Sequence, residues 1–194
     1  MPKIVDHEQH REQMILDCFE LFSKQGFNNV TMREIASELN VSTGALYHYF
    51  PTKQSIFEQM MNYVVDKDLV RLRNAINSME SPEDRMIQAG LVIENNKEYY
   101  QNILLLALDY FRKQPESETQ VMFKSFANHY VETISNQIDL PEKYSSIIFC
   151  WLIGIVYADL LCPTLITGKD QFETVTDIMR FLRMKKSSSE KESS

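Results

Sequence analysis

Side chains suited to reading nucleic acid are concentrated in residues 31–53, TMREIASELNVSTGALYHYFPTK. Arg33 carries a planar fork of N–H donors and is the best candidate for a guanine contact. The Thr43 hydroxyl suits a base edge or a phosphate, and Tyr47 and His48 are donors of the right length for phosphate oxygens. These residue types indicate non-covalent recognition of DNA rather than catalysis.

The same segment contains the signals for two short helices joined by a tight turn. Thr31 lies three residues before Glu34, which is the spacing of a capping box and predicts a helix start. Asn40 tolerates the left-handed backbone that ends a helix, and Ser42 is a good cap for a second helix. The pattern predicts a helix-turn-helix, which places side chains in the major groove of DNA. The alternative is a packed helical hairpin with polar surface residues.

Small residues at the start of the second helix favour close approach to DNA. Gly44 and Ala45 let the backbone come near, and the Ala45 methyl suits a thymine methyl. Pro51 then ends this helix, and Lys53 falls in the first turn of the next one, where free amides favour an anion. We expect a phosphate there to fix the register of the whole motif.

The N-terminal quarter of the chain resembles the tetracycline-repressor (TetR) family of bacterial transcription regulators. The resemblance rests on ILDCFELFSKQGFNNVTMREIA, ELNVSTGALYHYFPTK and SIFEQMM, which match without gaps. Beyond about residue 75 it rests only on the number and length of the predicted helices. The resemblance implies these DNA-facing positions: Thr31, Arg33, Thr43, Gly44, Ala45, Tyr47, His48, Tyr49 and Lys53.

The predicted fold class is all-α, with about nine helices ended by proline, glycine or asparagine. Residues 1–52 form the predicted DNA-binding domain, residues 53–184 a ligand-binding and dimerisation domain, and residues 185–194 a disordered polar tail. A helix over Thr52–Asn77 is expected to act as a stiff lever joining the two domains. Another long helix is predicted over Glu116–Ile138.

The charge balance argues against generic affinity for nucleic acid. The formal net charge is −7, and the first 53 residues hold five basic and seven acidic side chains. DNA binding must then depend on a few well-placed cations, helix N-termini and neutral donors. A dimer would double that small set.

Cysteine usage predicts neither a metal centre nor a disulfide framework. Cys18, Cys150 and Cys162 are scattered and lie at apolar helix positions, so we expect buried, reduced thiols, with a redox sensor as the alternative. We expect no cofactor and no bound metal.

The chain is expected to be soluble and cytoplasmic, without membrane association. The N-terminus lacks the apolar core of a signal peptide. The most apolar run, Ile147–Leu161, is shorter than the ~20 residues that a bilayer requires and contains Asp159.

The predicted helix Glu142–Cys162 is apolar on nearly every side, so it must bury one face in its own domain and another against something else. The predicted last helix, Asp170–Met184, has a similar seam. Two such helices from each of two chains would form a four-helix dimer interface, as the resemblance also implies. The alternative is a helix central to a monomer. The interface candidates are Ile148, Leu152, Ile155, Val156, Phe172, Val175 and Met179.

The region from Tyr99 to Tyr157 is rich in aromatic side chains, with isolated polar groups interleaved. Such mixtures line small-molecule sites, although any single aromatic residue at helical spacing is more often part of an ordinary core. A ligand that binds two positions of the lever unequally would change operator affinity. The pocket candidates are Tyr99, Asp109, Tyr110, Phe123, Phe126, His129, Tyr130 and Trp151.

Catalysis is disfavoured because the sequence has no Gly-rich phosphate loop, no HExxH and no GxSxG pattern. We expect a dimeric repressor released from a palindromic operator in double-stranded DNA by a small, largely apolar ligand. The alternative is a DNA-binding protein whose second domain docks a protein.

Overall fold

The computed structural model describes residues 7–138, 142–163, 170–178 and 180. Within those residues the chain is all-α, as predicted, with a 3₁₀ turn at Phe27–Asn29 and no strand. Residues 170–178 are also helical. The helices are α1 (His7–Gln25), α2 (Met32–Glu38), α3 (Thr43–Tyr49), α4 (Lys53–Ile76), α5 (Pro82–Asn95), α6 (Lys97–Phe111), α7 (Glu116–Ile138) and α8 (Glu142–Leu161).

Helix boundaries follow the sequence signals closely. Both ends of α7 lie where they were predicted, and α4 differs from the predicted lever by one residue at each end. The predicted tail, residues 185–194, lies outside the described residues.

The chain divides into two compact units. Unit 1 comprises Met1–Lys67 and Asn102–Phe126, and unit 2 comprises Asp68–Gln101 and Ala127–Ser194. Helices α4, α6 and α7 therefore contribute residues to both units. The domain boundary predicted at residue 52 falls between α3 and α4. It remains a prediction.

Aromatic rings form the centre of unit 1. The Phe27 ring is fully buried and meets the rings of Phe22, Phe57 and Tyr110 edge-on, at centroid distances of 5.4, 5.1 and 4.9 Å. Tyr110 in turn stacks on Phe57 at 4.0 Å. Edge-to-face and offset-stacked rings contribute beyond their buried area, so α6 is joined firmly to the N-terminal helices of unit 1.

The core of unit 2 gathers around the inner face of α8. Trp151 meets the Phe172 ring edge-on at 5.0 Å. Other partly buried apolar residues of α8 pack against the same core. Its buried members come from α5, α7, α8 and the helical residues 170–178: Met86, Ile134, Ile155 and Phe172.

The packing of α8 revises the predicted interface residues. Ile155 and Phe172 are only 7% and 3% exposed, so they have little surface to offer a partner. Ile148 and Leu152 also pack against this core. Val156 and Val175 are partly buried, and Met179 lies outside the described residues.

The opposite face of α8 is apolar and open. Ile147 and Leu161 are 60% and 65% exposed, and Tyr157 is also exposed. Nothing lies within 4 Å of the position that a Cβ on Gly154 would occupy. By length and apolar composition α8 is also long enough and apolar enough to cross a membrane, and 11% of its apolar stretch is buried. One such helix is weak evidence for a membrane span, because core helices of soluble proteins and signal sequences have the same length and composition. We call the exposed residues Ile147, Cys150, Gly154, Tyr157 and Leu161 the outer face of α8.

The prediction of three buried thiols is correct for one cysteine. Cys18 is buried, and burial raises the pKa of its thiol to about 12, with a smaller contribution from Asp17. Cys150 and Cys162 are exposed. The prediction failed for these two because apolar neighbours on both sides of α8 concealed which face is packed.

Gly90 offers a test of the packing of unit 2. A Cβ at this position would lie 2.4 Å from the Phe172 ring, so we expect Gly90→Ala to destabilise the chain by about 1–3 kcal/mol through overpacking. The matched control is Gly44→Ala in the absence of DNA, where the same methyl would lie 4.0 Å from the Ser42 hydroxyl, an ordinary contact, and helix propensity favours alanine by about 1 kcal/mol. Urea unfolding would measure both changes, and equal stability of the two variants would contradict the placement of Phe172.

Candidate nucleic-acid interface

Helix α2 begins with the predicted capping box. The Thr31 hydroxyl accepts from the Glu34 amide at 3.3 Å, and the Glu34 carboxylate accepts from the Thr31 amide and hydroxyl, both at 2.7 Å. These bonds lower the pKa of Glu34 below its usual range. The Thr31 side chain is therefore engaged in holding the start of α2, which makes its predicted DNA contact a secondary role.

The turn between α2 and α3 has the predicted backbone. Asn40 is left-handed, with φ of 53°, and the Val41 amide donates to Ala36 O at 3.0 Å. Ser42 then caps α3 by accepting from the Ala45 amide at 3.1 Å. On the inner side of α3, Leu46 is fully buried, which fixes the face that α3 turns outward.

The outward face of α3 carries the side chains predicted to meet DNA. Gly44, Tyr47 and His48 are exposed, and so is Arg33 on α2. Tyr49 is held edge-on against other rings, 5.8 Å from His48 and 5.8 Å from His10 of α1. Thr43 and Ala45 are partly buried at the start of the helix. Seven of the predicted positions thus lie together on α3 and its neighbour α2, with Thr31 at the start of α2 and Lys53 set apart.

Lys53 has a structural role that the sequence did not reveal. Its ammonium donates to the carbonyls of Phe27 and Val30 at 2.8 and 2.7 Å and lies 4.4 Å from the centroid of the Phe27 ring. Burial lowers the pKa of Lys53. Two of its three donors hold the chain just before α2, so at most one remains for a phosphate.

Four of the predicted pocket residues belong to unit 1. Asp109 accepts from the Asn28 backbone amide at 3.0 Å, and the Asn28 side-chain amide donates to the Asp109 carbonyl. Tyr110 packs on the aromatic centre described above, and Phe123 stacks on Phe111 at 4.0 Å. Phe126 is buried beside Phe123. Asp109 and Tyr110 therefore support the segment that precedes α2.

The other four predicted pocket residues belong to unit 2. Trp151 packs in the core, and His129 is exposed on α7. Tyr99 and Tyr130 converge instead on a buried carboxylate, Asp68, which sequence reasoning missed. The spacing of Asp68 and Arg71 on α4 suits an ion pair, but that signal is common on exposed helix faces.

Asp68 is the centre of a polar cluster in unit 2. The Tyr130 hydroxyl donates to Asp68 Oδ2 at 3.1 Å, and Arg71 Nη1 lies 3.2 Å from Asp68 Oδ1. Tyr99 also hydrogen-bonds to Asp68, and Tyr100 to Arg71. We call Asp68, Arg71, Tyr99, Tyr100 and Tyr130 the Asp68 cluster.

Burial controls the protonation of this cluster. It raises the pKa of Asp68 to about 6, although the bonds from Tyr130, Arg71 and Tyr99 act in the opposite direction. Burial and the Asp68 charge raise the pKa of Tyr100 to about 12, and they also raise the pKa values of Tyr99 and Tyr130 above the ordinary value. The tyrosines therefore stay neutral donors at neutral pH.

Within the described residues, no group of three or more histidine, cysteine or acidic side chains is arranged to hold a metal ion. The chemistry available at both sites is hydrogen bonding, ion pairing and aromatic contact.

Together, the all-α fold and the exposed α3 face define a helix-turn-helix protein. Residues 18–60 match the family model for bacterial regulatory proteins of the tetR family. The match places the N-terminal domain typical of that family at residues 18–60 of this chain.

Among curated relatives, the chain is 25% identical over 164 residues to the uncharacterised HTH-type transcriptional regulator YuxN of Bacillus subtilis (strain 168). That match covers 81% of this chain and 56% of the relative. The chain thus spans about half the length of the curated relatives it matches. Several relatives are named as HTH-type transcriptional regulators and none of those cited is named as an enzyme, in agreement with the prediction that the chain is not an enzyme.

Solved structures show the same fold. Salmonella enterica GusR aligns with a TM-score of 0.71 at 12% identity, covering 90% of this chain and 96% of GusR. The transcriptional regulator FadR of Bacillus subtilis, solved in complex with stearoyl-CoA, aligns with a TM-score of 0.63 at 16% identity, covering 86% of this chain and 96% of FadR.

The Asp68 cluster predicts a pH dependence of stability. The pKa of Asp68 rises from 3.8 to about 6 on folding, so the folded chain binds this proton more tightly. The resulting stabilisation is complete below the unfolded pKa and is lost as pH rises through the folded pKa. We expect the free energy of unfolding of the unaltered chain to fall by about 1 kcal/mol between about pH 5 and about pH 7.5. In Asp68→Asn this fall should be absent.

Chemical denaturation at the two pH values would measure this loss. Asp66→Asn is the control, because Asp66 lies on the same helix but is exposed, and it should follow the unaltered chain. An Asp68→Asn variant with the same pH dependence as the unaltered chain would contradict the raised pKa.

Proposed function

We propose that this chain is a dimeric repressor that binds a palindromic DNA operator through α3 and Arg33. The observation that carries the proposal is the outward face of α3, where small and donor side chains are exposed together while Leu46 is buried behind them. Small residues admit the helix to the major groove, Tyr47 and His48 suit phosphates, and Arg33 suits a guanine edge.

The proposed dimer uses the outer face of α8 rather than the buried residues first predicted. Residues 147, 150, 154, 157 and 161 recur at alternating spacings of three and four, which is the pattern of a helix-pairing seam. Gly154 leaves room for close approach. A two-fold pair would set two α3 helices at matching half-sites, and so favours a palindromic operator.

We further propose that a small ligand releases the operator. The FadR neighbour holds stearoyl-CoA, so the fold accommodates an organic ligand in that protein. Release requires that the ligand bind the DNA-competent and incompetent states unequally. The second candidate function is docking of a protein by unit 2, and it is favoured by the open apolar outer face of α8. Because the operator is chromosomal DNA, we expect the protein in the cytoplasm.

Operator binding depends on Arg33 in this proposal. Fluorescence anisotropy with labelled fragments from upstream of the chain's own and neighbouring genes should find a fragment bound tightly and in preference to the others. We expect Arg33→Ala to weaken that binding by roughly ten-fold or more and to relax its sequence preference, since a bidentate base contact contributes about 1–3 kcal/mol. Tyr47→Ala should weaken binding to all fragments alike.

Lys124→Ala is the control, because it removes an exposed positive charge of α7 in the same unit. Equal binding of every fragment, unchanged by Arg33→Ala, would refute sequence-specific recognition by this motif.

Dimerisation depends on the outer face of α8. We expect Ile147→Lys to convert a dimer to a monomer, because it places a charge within the apolar seam, and light scattering coupled to size exclusion would measure the mass. Val121→Lys is the control, since Val121 of α7 is even more exposed, at 72%, but lies in the other unit. A dimer unaffected by Ile147→Lys would exclude this face as the interface.

A further inference from the structure

Arg71 is exposed although its partner in the ion pair is buried. The Arg71 side chain is 40% exposed, whereas that of Asp68 is 2% exposed. The pair is therefore a buried carboxylate that presents a guanidinium toward the surface of unit 2. An arrangement of this kind can bind an additional group, because a guanidinium has five N–H donors and one carboxylate does not satisfy them all.

Three contacts hold the Arg71 guanidinium in a defined orientation. Nη1 lies 3.2 Å from Asp68 Oδ1, Cζ lies 5.1 Å from the centroid of the Tyr99 ring, and the Tyr100 hydroxyl hydrogen-bonds to the same side chain. Long side chains lose several rotamers when they are ordered. Here that loss has already occurred, so a ligand would meet a preorganised donor.

Stability alone does not explain the Asp68 cluster. Burying a charged pair costs desolvation that apolar residues of the same volume avoid. The high pKa of Asp68 reflects that cost. A charged group with a shifted pKa and a defined partner, set among aromatic rings, is typical of a binding site.

We infer that Arg71 anchors the carboxylate of a small aromatic monoanion, whose ring lies against the tyrosines of the Asp68 cluster. The inference rests on the proposed ligand-controlled function and names the chemical class of the ligand. The planar guanidinium matches a carboxylate in a bidentate geometry. The rings of Tyr99 and Tyr100 meet edge-on at 5.2 Å and supply aromatic surface beside it.

The charge balance of the cluster favours a monoanion over a dianion. Asp68 itself offsets the charge of Arg71. A carboxylate needs only the Arg71 guanidinium, whereas a phosphate dianion would bring a second negative charge close to Asp68. An organic cation would have to displace Arg71 to reach Asp68, which is almost fully buried.

Binding of a carboxylate to Arg71 should be linked to protonation of Asp68. The groups that face Asp68 are Arg71 of α4, Tyr99 and Tyr100 of α6, and Tyr130 of α7. The tyrosines stay neutral, so a second anion at Arg71 favours the protonated acid. Affinity for a carboxylate should therefore increase as the pH falls toward 6, whereas a cation at Asp68 would show the opposite trend.

The test uses four probes of similar size on the full-length protein: benzoate, benzyl alcohol, benzylammonium and phenyl phosphate. Ligand-observed NMR, which detects weak binding, would rank them without DNA. We expect benzoate to bind most tightly. Arg71→Gln should weaken benzoate binding roughly ten-fold or more, since charge-assisted bidentate bonds are the strong ones, and Arg71→Lys should weaken it less.

Arg73→Gln is the matched control, because Arg73 lies two residues away on α4, is exposed, and donates to the Leu69 carbonyl of its own helix at 3.1 Å. Circular dichroism and thermal melting would establish that each variant is folded. Benzoate binding that is absent, or equal in the unaltered protein and a folded Arg71→Gln variant, would overturn the inference. Tighter binding of benzylammonium or of phenyl phosphate would overturn the assignment to a monoanion.

The anisotropy assay separates this inference from the proposed function. Benzoate that binds through Arg71 but leaves operator affinity unchanged would support the site and refute ligand-controlled release by this probe. Operator binding without any benzoate binding would leave the DNA-binding proposal intact and remove the anion site.

Discussion

The enclosure of the Phe27 ring is the contact on which the DNA-reading end of unit 1 depends. Phe27 follows α1 by two residues and precedes α2 by five. Its ring is surrounded by Phe22, Phe57 and Tyr110, and Lys53 bonds to its carbonyl. Because α2 and α3 follow within a short, capped segment, fixing this one ring and its backbone fixes the direction in which α3 faces.

The helix-turn-helix motif is therefore supported by contacts from residues far outside it. Two of the groups that hold the Phe27 segment, Asp109 and Tyr110, come from α6, far along the sequence. Burial raises the pKa of Asp109, but its bonds to Asn28 outweigh that effect and lower it overall, so the carboxylate is an acceptor under all ordinary conditions. A fragment ending at residue 52 would keep α1–α3 but lose these contacts and Phe57.

Local signals explain why the motif could be predicted so closely. The capping box at Thr31, the left-handed Asn40 and the cap at Ser42 each depend on neighbours within a few residues, and all were found. The bounds of α7 follow from Pro115, which immediately precedes its first residue, and Pro141, which lies three positions after its last. Such features need no knowledge of the tertiary fold.

Long-range contacts explain what could not be predicted. Asp68 and Tyr130 are separated by 62 positions, and no pattern in one helix reveals a partner in another. Asp109 resembled a pocket residue because it stands among aromatic residues, yet it bonds to Asn28. Helix α8 is apolar on all sides, so periodicity could not distinguish its packed face from its open one.

The acidic charge makes the outer face of α8 decisive for DNA binding under the proposed function. A chain with net charge −7 gains little from non-specific attraction, and one of its few N-terminal cations, Lys53, is engaged within unit 1. A single α3 helix would then bind DNA weakly. Joining two such helices makes the second contact effectively intramolecular, so the pair binds DNA more tightly than either helix alone. The affinity for an operator should therefore depend as much on the apolar seam of α8 as on the residues that touch the bases.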